Sequence, residues 1–430
     1  MIANSWFGSL PEGWRAERLR SAVRLVDKKL QSPQSDQPYI GLENVESWTG
    51  RLSTIVSGGA ESTVNEFYPG DVLFGKLRPY LAKALYVERR GECSTEFLVL
   101  RPNHLIPKFL LYTLLSKDFI EIVNAWAYGV KMPRVSWDLI GTLMVPIPPR
   151  ERQASIVDFL DSEAAEADAL VQKYERLIEL LEEKRVALIT RVVTKGLDAS
   201  AAMKESGIPW LGRIPRTWNL IPLSRATAKI TNGYVGPTRD ILNADGVRYL
   251  QSLHIKDGEI RFDEPYYVSA EWSHQHRKSI LREGDVLIVQ TGDIGQVAAV
   301  PAEFAGSNCH ALIIASPRTD HVLPEFLSYV LRSAYGKAFL QSIQTGALHP
   351  HLNCGNVKYF KVPTPPLEEQ SAILKVLNAN LERLRDLTRS AERARRLVLE
   401  RRTALITAAI TGEIDVTSYR LKQRPVEVPA

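Results

Sequence analysis

Residues 145–153 read VPIPPRERQ, and residues 362–370 read VPTPPLEEQ. In both stretches a short run with β-branched residues ends at two prolines, and a glutamine follows four residues after the second proline. Proline fixes its own backbone φ angle and lacks an amide N–H, so a double proline ends a strand and is well placed before a helix. We therefore interpret each stretch as the junction between a globular domain and a helix.

The two stretches belong to a tandem duplication that covers most of the chain. The offset between the copies is 217 residues, and it holds from residue 105 to residue 198; residues 185–190 (RVALIT), for example, match residues 402–407 (RTALIT). Nearer the N-terminus the offset is smaller, 204 residues at Trp14 and Trp218. Chance does not keep one register over so long a stretch, so each half should hold one globular domain followed by one helical segment.

The helical segments carry a heptad-like spacing of apolar and small residues. Residues 150–193 contain neither Pro nor Gly. In the first segment the stripe consists of Ile156, Leu160, Ala167, Leu170, Tyr174, Leu177, Leu181 and Leu188. In the second segment it consists of Ile373, Leu377, Leu384, Leu387, Ala391, Ala394, Val398 and Leu405. This spacing predicts two long helices, each with one coiled-coil seam.

Charge favours packing of these two helices against each other. Residues 149–195 hold eight Lys or Arg and ten Asp or Glu, whereas residues 367–412 hold nine and six. An isolated amphipathic helix would leave its apolar stripe in water. If a pseudo-twofold axis relates the two copies, the helices run antiparallel and the globular domains lie at opposite ends of a rod.

The globular parts contain short β-branched and aromatic runs broken by Gly, Pro, Asn and Asp, which is typical of strands joined by turns. The predicted fold class is α+β: two similar α/β domains separated by two long antiparallel coiled-coil helices, in a pseudo-twofold tandem repeat. The predicted divisions are a first domain (1–148), a first helix (149–197), a connector with the second domain (198–365), a second helix (366–413) and a tail (414–430).

Composition and motifs exclude several classes of protein. The chain has 430 residues, 45% hydrophobic and 24% charged, with a net charge of +5, and it has no apolar run long enough to span a membrane. Three scattered cysteines and the absence of a secretory signal favour the reducing cytoplasm. The sequence contains no Asp/Asn-Pro-Pro-aromatic methyltransferase loop, no Gly-x-x-x-x-Gly-Lys-Ser/Thr loop and no metal-ligand spacing. We expect neither catalysis nor a cofactor or bound metal.

The repeated Pro-Pro-x-x-x-Gln stretches, the alternation of domain and helix, and residues 203–212 (MKESGIPWLG) resemble the specificity subunit of type I restriction-modification systems. The resemblance implies a non-catalytic DNA reader with two target recognition domains, each reading one half of a bipartite asymmetric site. It also implies that the helices set the spacing and bind two methyltransferase subunits, which restriction subunits can join. From the geometry of the rod we further expect the helices and the connector at residues 194–201 to act as a ruler.

Two other classes of function remain open on the sequence alone. One is an enzyme that acts on DNA alone, either a nuclease or a methyltransferase, and the missing motifs speak against it. The other is a coiled-coil adaptor that binds only protein, which would leave the basic loops of the domains without a role.

Two loops in each domain carry candidate DNA-binding side chains, although a solvated basic turn is the alternative interpretation. In the first domain these are Lys76, Arg78, Tyr80 and Lys83, followed by Lys131 and Arg134. The aligned positions of the second domain give Gln290, Thr291 and Gln296, followed by His349 and His351. Because Arg and Lys favour guanine while Gln suits adenine, the two domains should read different bases.

The outward faces of the helices could also bind partner subunits. The candidate residues there are Tyr174, Glu179, Glu182 and Arg389. Charged helix faces are more often simply solvated, which is the alternative for all four.

Overall fold

The structure is a computed structural model that describes residues 6–31, 37–53, 56–57, 63–346 and 350–418. The chain folds into two compact units, the first built from Met1–Glu175 and Glu392–Ala430 and the second from Arg176–Ala391. Each unit therefore combines one globular domain with a segment of both long helices.

The first unit contains eleven strands among its described residues. They are β1 (Arg15–Arg18), β2 (Val23–Leu25), β3 (Lys29–Leu30), β4 (Pro38–Ile40), β5 (Val56–Ser57), β6 (Val64–Phe67), β7 (Val72–Gly75), β8 (Ala84–Tyr86), β9 (Gly91–Ser94), β10 (Phe97–Pro102) and β11 (Met144–Ile147). Its helices are α1 (Leu19–Ala22), α2 (Pro107–Leu115), α3 (Lys117–Ala125), α4 (Trp137–Ile140), the first part of α5 (Arg150–Lys195) and the last part of α11 (Leu367–Thr411).

Three sheets organise this unit. One has the order β2-β10-β7-β8, a second has the order β3-β6-β9-β4-β5, and β1 pairs with β11. All pairs are antiparallel except β4 with β9, in which Tyr39 lies opposite Glu92. Fully buried residues of the four-stranded sheet and of α2, such as Phe74 and Phe109, pack in one core with Ile156 and Phe159 of α5. Apolar burial thus fixes the domain on the helix.

The second unit repeats this plan with a few additional strands. They are β12 (Met203–Glu205), β13 (Arg213–Pro215), β14 (Asn219–Pro222), β15 (Thr227–Asn232), β16 (Val247–Leu250), β17 (Ile255–Lys256), β18 (Glu259–Ile260), β19 (Tyr267–Val268), β20 (Val286–Val289), β21 (Val297–Ala299), β22 (Asn308–Cys309), β23 (Leu312–Pro317) and β24 (Lys361–Thr364). Its helices are the last part of α5, α6 (Leu223–Ala226), α7 (Ala270–Gln275), α8 (Pro324–Arg332), α9 (Ala334–Ser342), α10 (Cys354–Val357) and the first part of α11 (Leu367–Thr411).

Sheet order confirms the duplication. The order β15-β23-β20-β21 repeats that of the four-stranded sheet in the first unit, and β14 pairs with β24 as β1 does with β11. The single parallel pair also recurs among the described strands, here between β16 and β22, with Tyr249 opposite Asn308. The predicted α+β fold with two similar domains is therefore confirmed.

The glutamine of each Pro-Pro-x-x-x-Gln stretch joins the start of a long helix to its domain. Buried Gln153 accepts a hydrogen bond from the Ile106 amide (2.9 Å) and donates one to the Pro148 carbonyl (3.0 Å). Gln370 makes the equivalent bonds to Leu323 (2.8 Å) and Pro365 (2.9 Å). These bonds satisfy backbone groups near the start of each long helix, which explains why a glutamine follows the two prolines in both copies.

Within the first unit the two helices run antiparallel. Arg401 pairs with Glu163 at 3.1 Å, and Arg395, earlier in α11, pairs with Glu175, later in α5, at 3.5 Å. In the second unit, Leu181 and Ile189 of α5 share a core with α11 residues such as Leu377. The antiparallel pairing expected from the seams and charges is confirmed in the first unit.

The predicted seam is wrong at two positions. Leu177 and Leu387 are 43% and 54% exposed, whereas Leu381, outside the predicted stripe, is buried. The buried stripe follows the face that each domain covers, and a straight helix drifts by about 20° per heptad away from a strict seven-residue repeat. Leu177 and Leu387 are therefore surface positions, and an acidic substitution at either one would place its carboxylate in solvent and not in a core.

A glycine and a tryptophan meet at the C-terminal end of each long helix. Gly196, with φ +76°, follows α5 and lies close to Trp218, and Gly412, with φ +79°, follows α11 and lies close to Trp14. A left-handed glycine is a common helix terminator. Trp218 is completely buried, so it packs in the core of the second unit. None of the helices in the described residues has a stretch apolar and long enough to cross a membrane.

Candidate nucleic-acid interface

The turn after β7 places cationic side chains on an unusual backbone. A short 3-10 turn at Pro79–Leu81 lies between two non-glycine residues with positive φ, Arg78 at 51° and Ala82 at 45°. Such left-handed conformations cost energy and persist only where the surroundings hold them. Here the Arg78 amide donates a hydrogen bond of 2.7 Å to the Pro133 carbonyl. The turn therefore presents the Arg78 side chain from a fixed backbone.

The second predicted segment forms a hairpin beside this turn. Tyr128 and Arg134 exchange two backbone hydrogen bonds of 2.9 Å, and Gly129 adopts φ +101° in the connecting loop. The Val135 amide donates to the Lys76 carbonyl at 3.1 Å. The structure thus brings together two segments that are some fifty residues apart in the sequence. We name the turn and the hairpin, residues 76–83 and 128–134, the first loop pair.

The first loop pair carries cations that have no neutralising partner within the described ranges of the chain. Among the described residues, no carboxylate oxygen lies within 4.0 Å of the charged groups of Lys76, Arg78 or Lys131. Arg78, Tyr80 and Lys131 are exposed, whereas Lys76 is half-buried. Unpaired cations at an exposed turn are suited to phosphate oxygens or guanine edges.

Two other candidates are already engaged in holding the loops. The Lys83 ammonium donates to the Leu42 carbonyl at 2.6 Å. The Arg134 guanidinium pairs with Glu96 at 3.0 Å, and this ion pair raises the pKa of Arg134 above its ordinary value. Both side chains therefore help to shape the loop pair.

The second unit assembles the equivalent loops. Thr345 and His351 exchange backbone hydrogen bonds of 3.0 and 2.8 Å, and Thr291 forms a bridge to His351. The Leu352 amide donates to the Gln290 carbonyl at 3.0 Å. Residues 290–296 and 345–351 form the second loop pair, of which His349 lies outside the described residues.

The second loop pair is polar where the first is cationic. Gln296 donates to Asp293 at 3.0 Å and accepts from the Asp257 amide at 3.2 Å, so its amide group is committed within the unit. Thr291 is exposed, and Gln290 is half-buried, with a side-chain oxygen that lacks a hydrogen-bond partner within the described structure. The same scaffold therefore presents two chemically different loop pairs.

Sequence reasoning missed the apolar residues of the first loop pair. Val130 is fully exposed, Tyr128 is 63% exposed and Met132 is 46% exposed. The prediction for this segment rested on charged and imidazole groups. The Tyr-Gly-Val-Lys-Met-Pro-Arg stretch (residues 128–134) contains the signal, because a Gly and a Pro around apolar residues favour a tight turn that exposes them.

An aromatic cluster in the second unit was also missed. Trp272 and His276 stack with ring centroids 4.0 Å apart, and Tyr234 meets Trp272 edge to face at 5.0 Å. Tyr249 lies 3.4 Å from the ring nitrogen of His310. Burial lowers the pKa of His310 below its ordinary value. The members of this cluster come from separate elements, so no local motif indicates it.

The candidate partner-binding residues lie on the long helices and are mostly exposed. Glu179 accepts a hydrogen bond from Arg176 at 2.9 Å. Glu182 accepts one from Arg185 at 3.1 Å, Arg389 lies 3.7 Å from Asp386, and Tyr174 is half-buried. Glu179 and Glu182 also border an open groove of about 1120 Å³ in the second unit, lined largely by apolar atoms of α5. Apolar atoms beside exposed charges are typical of a protein contact surface.

No group of three potential metal ligands among His, Cys, Asp and Glu occurs in the part of the chain that the structure describes. Cys309 is completely buried, and this burial raises the pKa of its thiol well above the ordinary range. A neutral, buried thiol is not a nucleophile.

Comparison with known proteins places both domains in one family. The family model described as "Type I restriction modification DNA specificity domain" matches residues 22–180 and 235–393. Both matches extend from a globular domain into a long helix, so the family signature itself covers the repeated unit.

Curated relatives match over long parts of the chain. The MjaVIII type I restriction enzyme specificity subunit of Methanocaldococcus jannaschii is 23% identical over 95% of this chain and 94% of its own length. The EcoBI type I restriction enzyme specificity subunit of Escherichia coli is 25% identical over 60% of this chain and 55% of its own length.

A solved structure shares the fold. It comes from work on complex assembly and conformational transition of the type I R-M system, and it aligns with a TM-score of 0.68 and 21% identity over 95% of this chain and 100% of the other.

Proposed function

Because the chain belongs to the type I restriction-modification DNA specificity family, we propose that it reads a bipartite, asymmetric DNA site, one half with each domain. The first loop pair contacts one half-site and the second loop pair contacts the other. The chain is a targeting subunit, and the chemistry belongs to its partners. It needs no cofactor or metal of its own.

The observation that carries this proposal is the contrast between two loop pairs on one repeated scaffold. Both domains position a turn beside a hairpin through equivalent backbone contacts, with Leu77 bridged to Arg134 in one and Thr291 to His351 in the other. Since the cationic pair suits guanine and phosphate while the polar pair suits adenine, the two domains bind different half-sites.

The partners we propose are two methyltransferase subunits, which restriction subunits can join. A duplicated scaffold offers each methyltransferase an equivalent surface, so two copies can bind by the same contacts. The helix residues Tyr174, Glu179, Glu182 and Arg389 are our candidate contacts, and the groove beside Glu179 and Glu182 supplies apolar area for one copy.

We further propose residues 1–148 and 198–365 as the target recognition domains, with the first connector included in the second range. The two long helices at residues 149–197 and 366–413 and a tail at residues 414–430 are the remaining proposed segments. The site of action is the cytoplasm, where duplex DNA and reduced cysteines coexist in a prokaryotic cell.

The test uses the full chain co-expressed with a type I methyltransferase subunit. Methylated positions are mapped across the host genome by single-molecule sequencing. We expect one motif with two specific parts separated by a fixed non-specific spacer. Methylation without sequence preference, or a motif with a single specific part, would contradict the proposal.

A binding measurement then separates DNA reading from assembly. The complex should bind a fluorescent duplex that carries the mapped motif at least a hundredfold more tightly than a duplex with both halves scrambled, at one fixed salt concentration. A complex that assembles with the methyltransferase but binds both duplexes equally would favour the protein-adaptor alternative.

A further inference from the structure

The tip of the hairpin at residues 128–134 exposes apolar side chains to water. Val130 is fully exposed, and Met132 and Tyr128 are 46% and 63% exposed. Tyr80, on the adjacent turn, is 45% exposed. Single exposed hydrophobic residues are ordinary, but a cluster bordered by cations marks a contact surface.

The base of this hairpin is held firmly, so the tip projects from a fixed support. Tyr128 and Arg134 form a single β-bridge with two backbone hydrogen bonds, and the Arg134 guanidinium pairs with Glu96 at 3.0 Å. The Pro133 carbonyl accepts the Arg78 amide at 2.7 Å. A supported tip does not have to be ordered when a ligand binds, which lowers the entropic cost of binding.

The charge and the shape of the hairpin tip indicate that its ligand is duplex DNA. Lys131 lies within the tip and Arg78 lies at its base, and neither has a carboxylate partner in the described part of the chain. A tight hairpin is no wider than the two-stranded β-ribbon that the major groove admits, so its tip can enter the groove while the cations reach the phosphates that line it.

The side chain at the tip restricts what can be read there. Valine has no hydrogen-bonding atom in its side chain, so Val130 cannot read the donors and acceptors on the base edges. The C5 methyl group of thymine is the apolar feature that the major groove displays. We propose that Val130 contacts the C5 methyl group of one thymine in the half-site read by the first domain. The inference rests on the proposed function and adds a specificity-determining residue to it.

A double-mutant cycle tests the contact in the full complex with its methyltransferase subunits. Each thymine of the mapped motif is replaced in turn by deoxyuridine, which lacks only the C5 methyl group. The dissociation constant is then measured by fluorescence anisotropy for the wild type and for Val130→Ala. Because Val130 is fully exposed, this substitution removes nothing from a core.

We expect one thymine whose replacement weakens wild-type binding about fourfold, the effect of removing one buried methyl group. Val130→Ala should weaken binding of the thymine duplex by a similar factor and should no longer distinguish thymine from deoxyuridine at that position. The matched control is Val235→Ala, because Val235 is an exposed valine of the other unit, 64% exposed, and it should leave that discrimination unchanged.

If no thymine replacement couples to Val130 while the wild type keeps its two-part motif, this inference is wrong and the proposed function stands. The same conclusion follows if the half-site weakened by Arg78→Ala contains no A·T pair. A wild type without a specific motif would instead overturn the proposed function itself.

Discussion

Arg402 of α11 donates a hydrogen bond of 2.9 Å to the backbone carbonyl of Thr49, in a turn of the first domain. The same guanidinium donates to Asp168 of α5 at 2.9 Å, so one side chain links both helices to the domain. Arg185 makes the equivalent contact in the second unit, with 3.0 Å to the carbonyl of Asp257. Duplication therefore preserved an arginine that fastens each domain to its helices.

The neighbouring ion pair has reversed its signs between the copies. Arg51 of the first turn pairs with Asp168 of α5, whereas Glu259 of the second turn pairs with Arg385 of α11. If the two turns were exchanged, like charges would face each other at both positions. The charge on the turn of each domain is therefore complementary to the helix residue that it contacts.

Replacing the buried arginine should destabilise the first unit. Arg402→Met removes a guanidinium whose side chain is 5% exposed and leaves the Thr49 carbonyl without that donor and Asp168 with one cation fewer. Breaking a buried pair from one side costs about 3 kcal/mol. We expect a clear fall in the urea midpoint of the first unfolding transition. Arg396→Met, at an exposed position of the same helix, is the control, and equal losses in both variants would refute the role of Arg402.

Acid should destabilise the five-stranded sheet through Glu66. Burial would raise the pKa of this carboxyl, but hydrogen bonds from Lys28 and Arg90 outweigh it and hold the pKa below the ordinary 4.5. A carboxyl with a lowered folded-state pKa stabilises the fold above its unfolded pKa and loses that contribution as the pH falls through the folded value. We expect unfolding midpoints in urea to be constant near pH 7 and to fall below about pH 4.5.

The variant Glu66→Gln isolates this contribution. It should be less stable than the wild type at pH 7, and its midpoint should depend less on pH between about 4.5 and 3. Glu88→Gln, on the exposed turn after β8, should keep the wild-type dependence. If the urea midpoints of the wild type and of Glu66→Gln fell in parallel with pH, another group would cause the loss of stability in acid.

The junctions could be predicted from sequence because they depend on local chemistry. Two prolines and a glutamine mark the start of each long helix, although the tertiary bonds of Gln153 and Gln370 were not predictable. The prediction that Leu177 belongs to the buried stripe is wrong for a different reason. A heptad pattern assumes that the partner helix covers the stripe, whereas here the globular domains decide which positions are buried.

The candidate interface was predictable only in part. Composition indicated both segments of the first loop pair, but their contact between Leu77 and Arg134 spans a long sequence separation and depends on the folded domain. The left-handed backbone at Arg78 is likewise held by a tertiary bond to Pro133. The local sequence pattern predicts where such loops lie, whereas the folded structure is needed to show which of their side chains lack an ion-pair partner.

Specificity should be modular between the half-sites. Arg78→Ala and Lys76→Ala should relax the preference at one half of the methylated motif and leave the other half unchanged, because each loop pair belongs to its own unit. A lost guanine contact costs a factor of about ten in binding. Arg89→Ala, at an exposed position of the same unit, is the control. Equal weakening at both half-sites would mark Lys76 and Arg78 as general phosphate contacts.

The connector should tolerate an insertion without a change in spacing. Our expectation from the sequence was that residues 194–201 form part of a ruler. In the structure, the Lys195 ammonium donates to the Leu211 carbonyl at 3.2 Å, and Gly196 lies against Trp218. The Lys195 ammonium also donates to the Arg213 carbonyl of β13, and β12 pairs with β13. The end of α5 therefore contacts this two-stranded sheet directly and does not depend on the loop to position it. We expect four residues inserted between Ser200 and Ala201 to leave the preferred spacer unchanged in methylation assays on graded duplexes.

Matched insertions in the helices should change the spacing. Seven residues after Glu175 of α5 alone should lower stability, because that helix becomes about 10 Å longer than its antiparallel partner. A second heptad after Ala391 of α11 should restore folding, since seven residues nearly complete two helical turns and return each face to within about 20°. Ten ångströms correspond to about three base pairs, so the doubly extended protein should methylate the natural spacer poorly and prefer a longer one. If it folds and keeps the natural optimum, the spacing is set by the methyltransferase subunits instead of by α5 and α11.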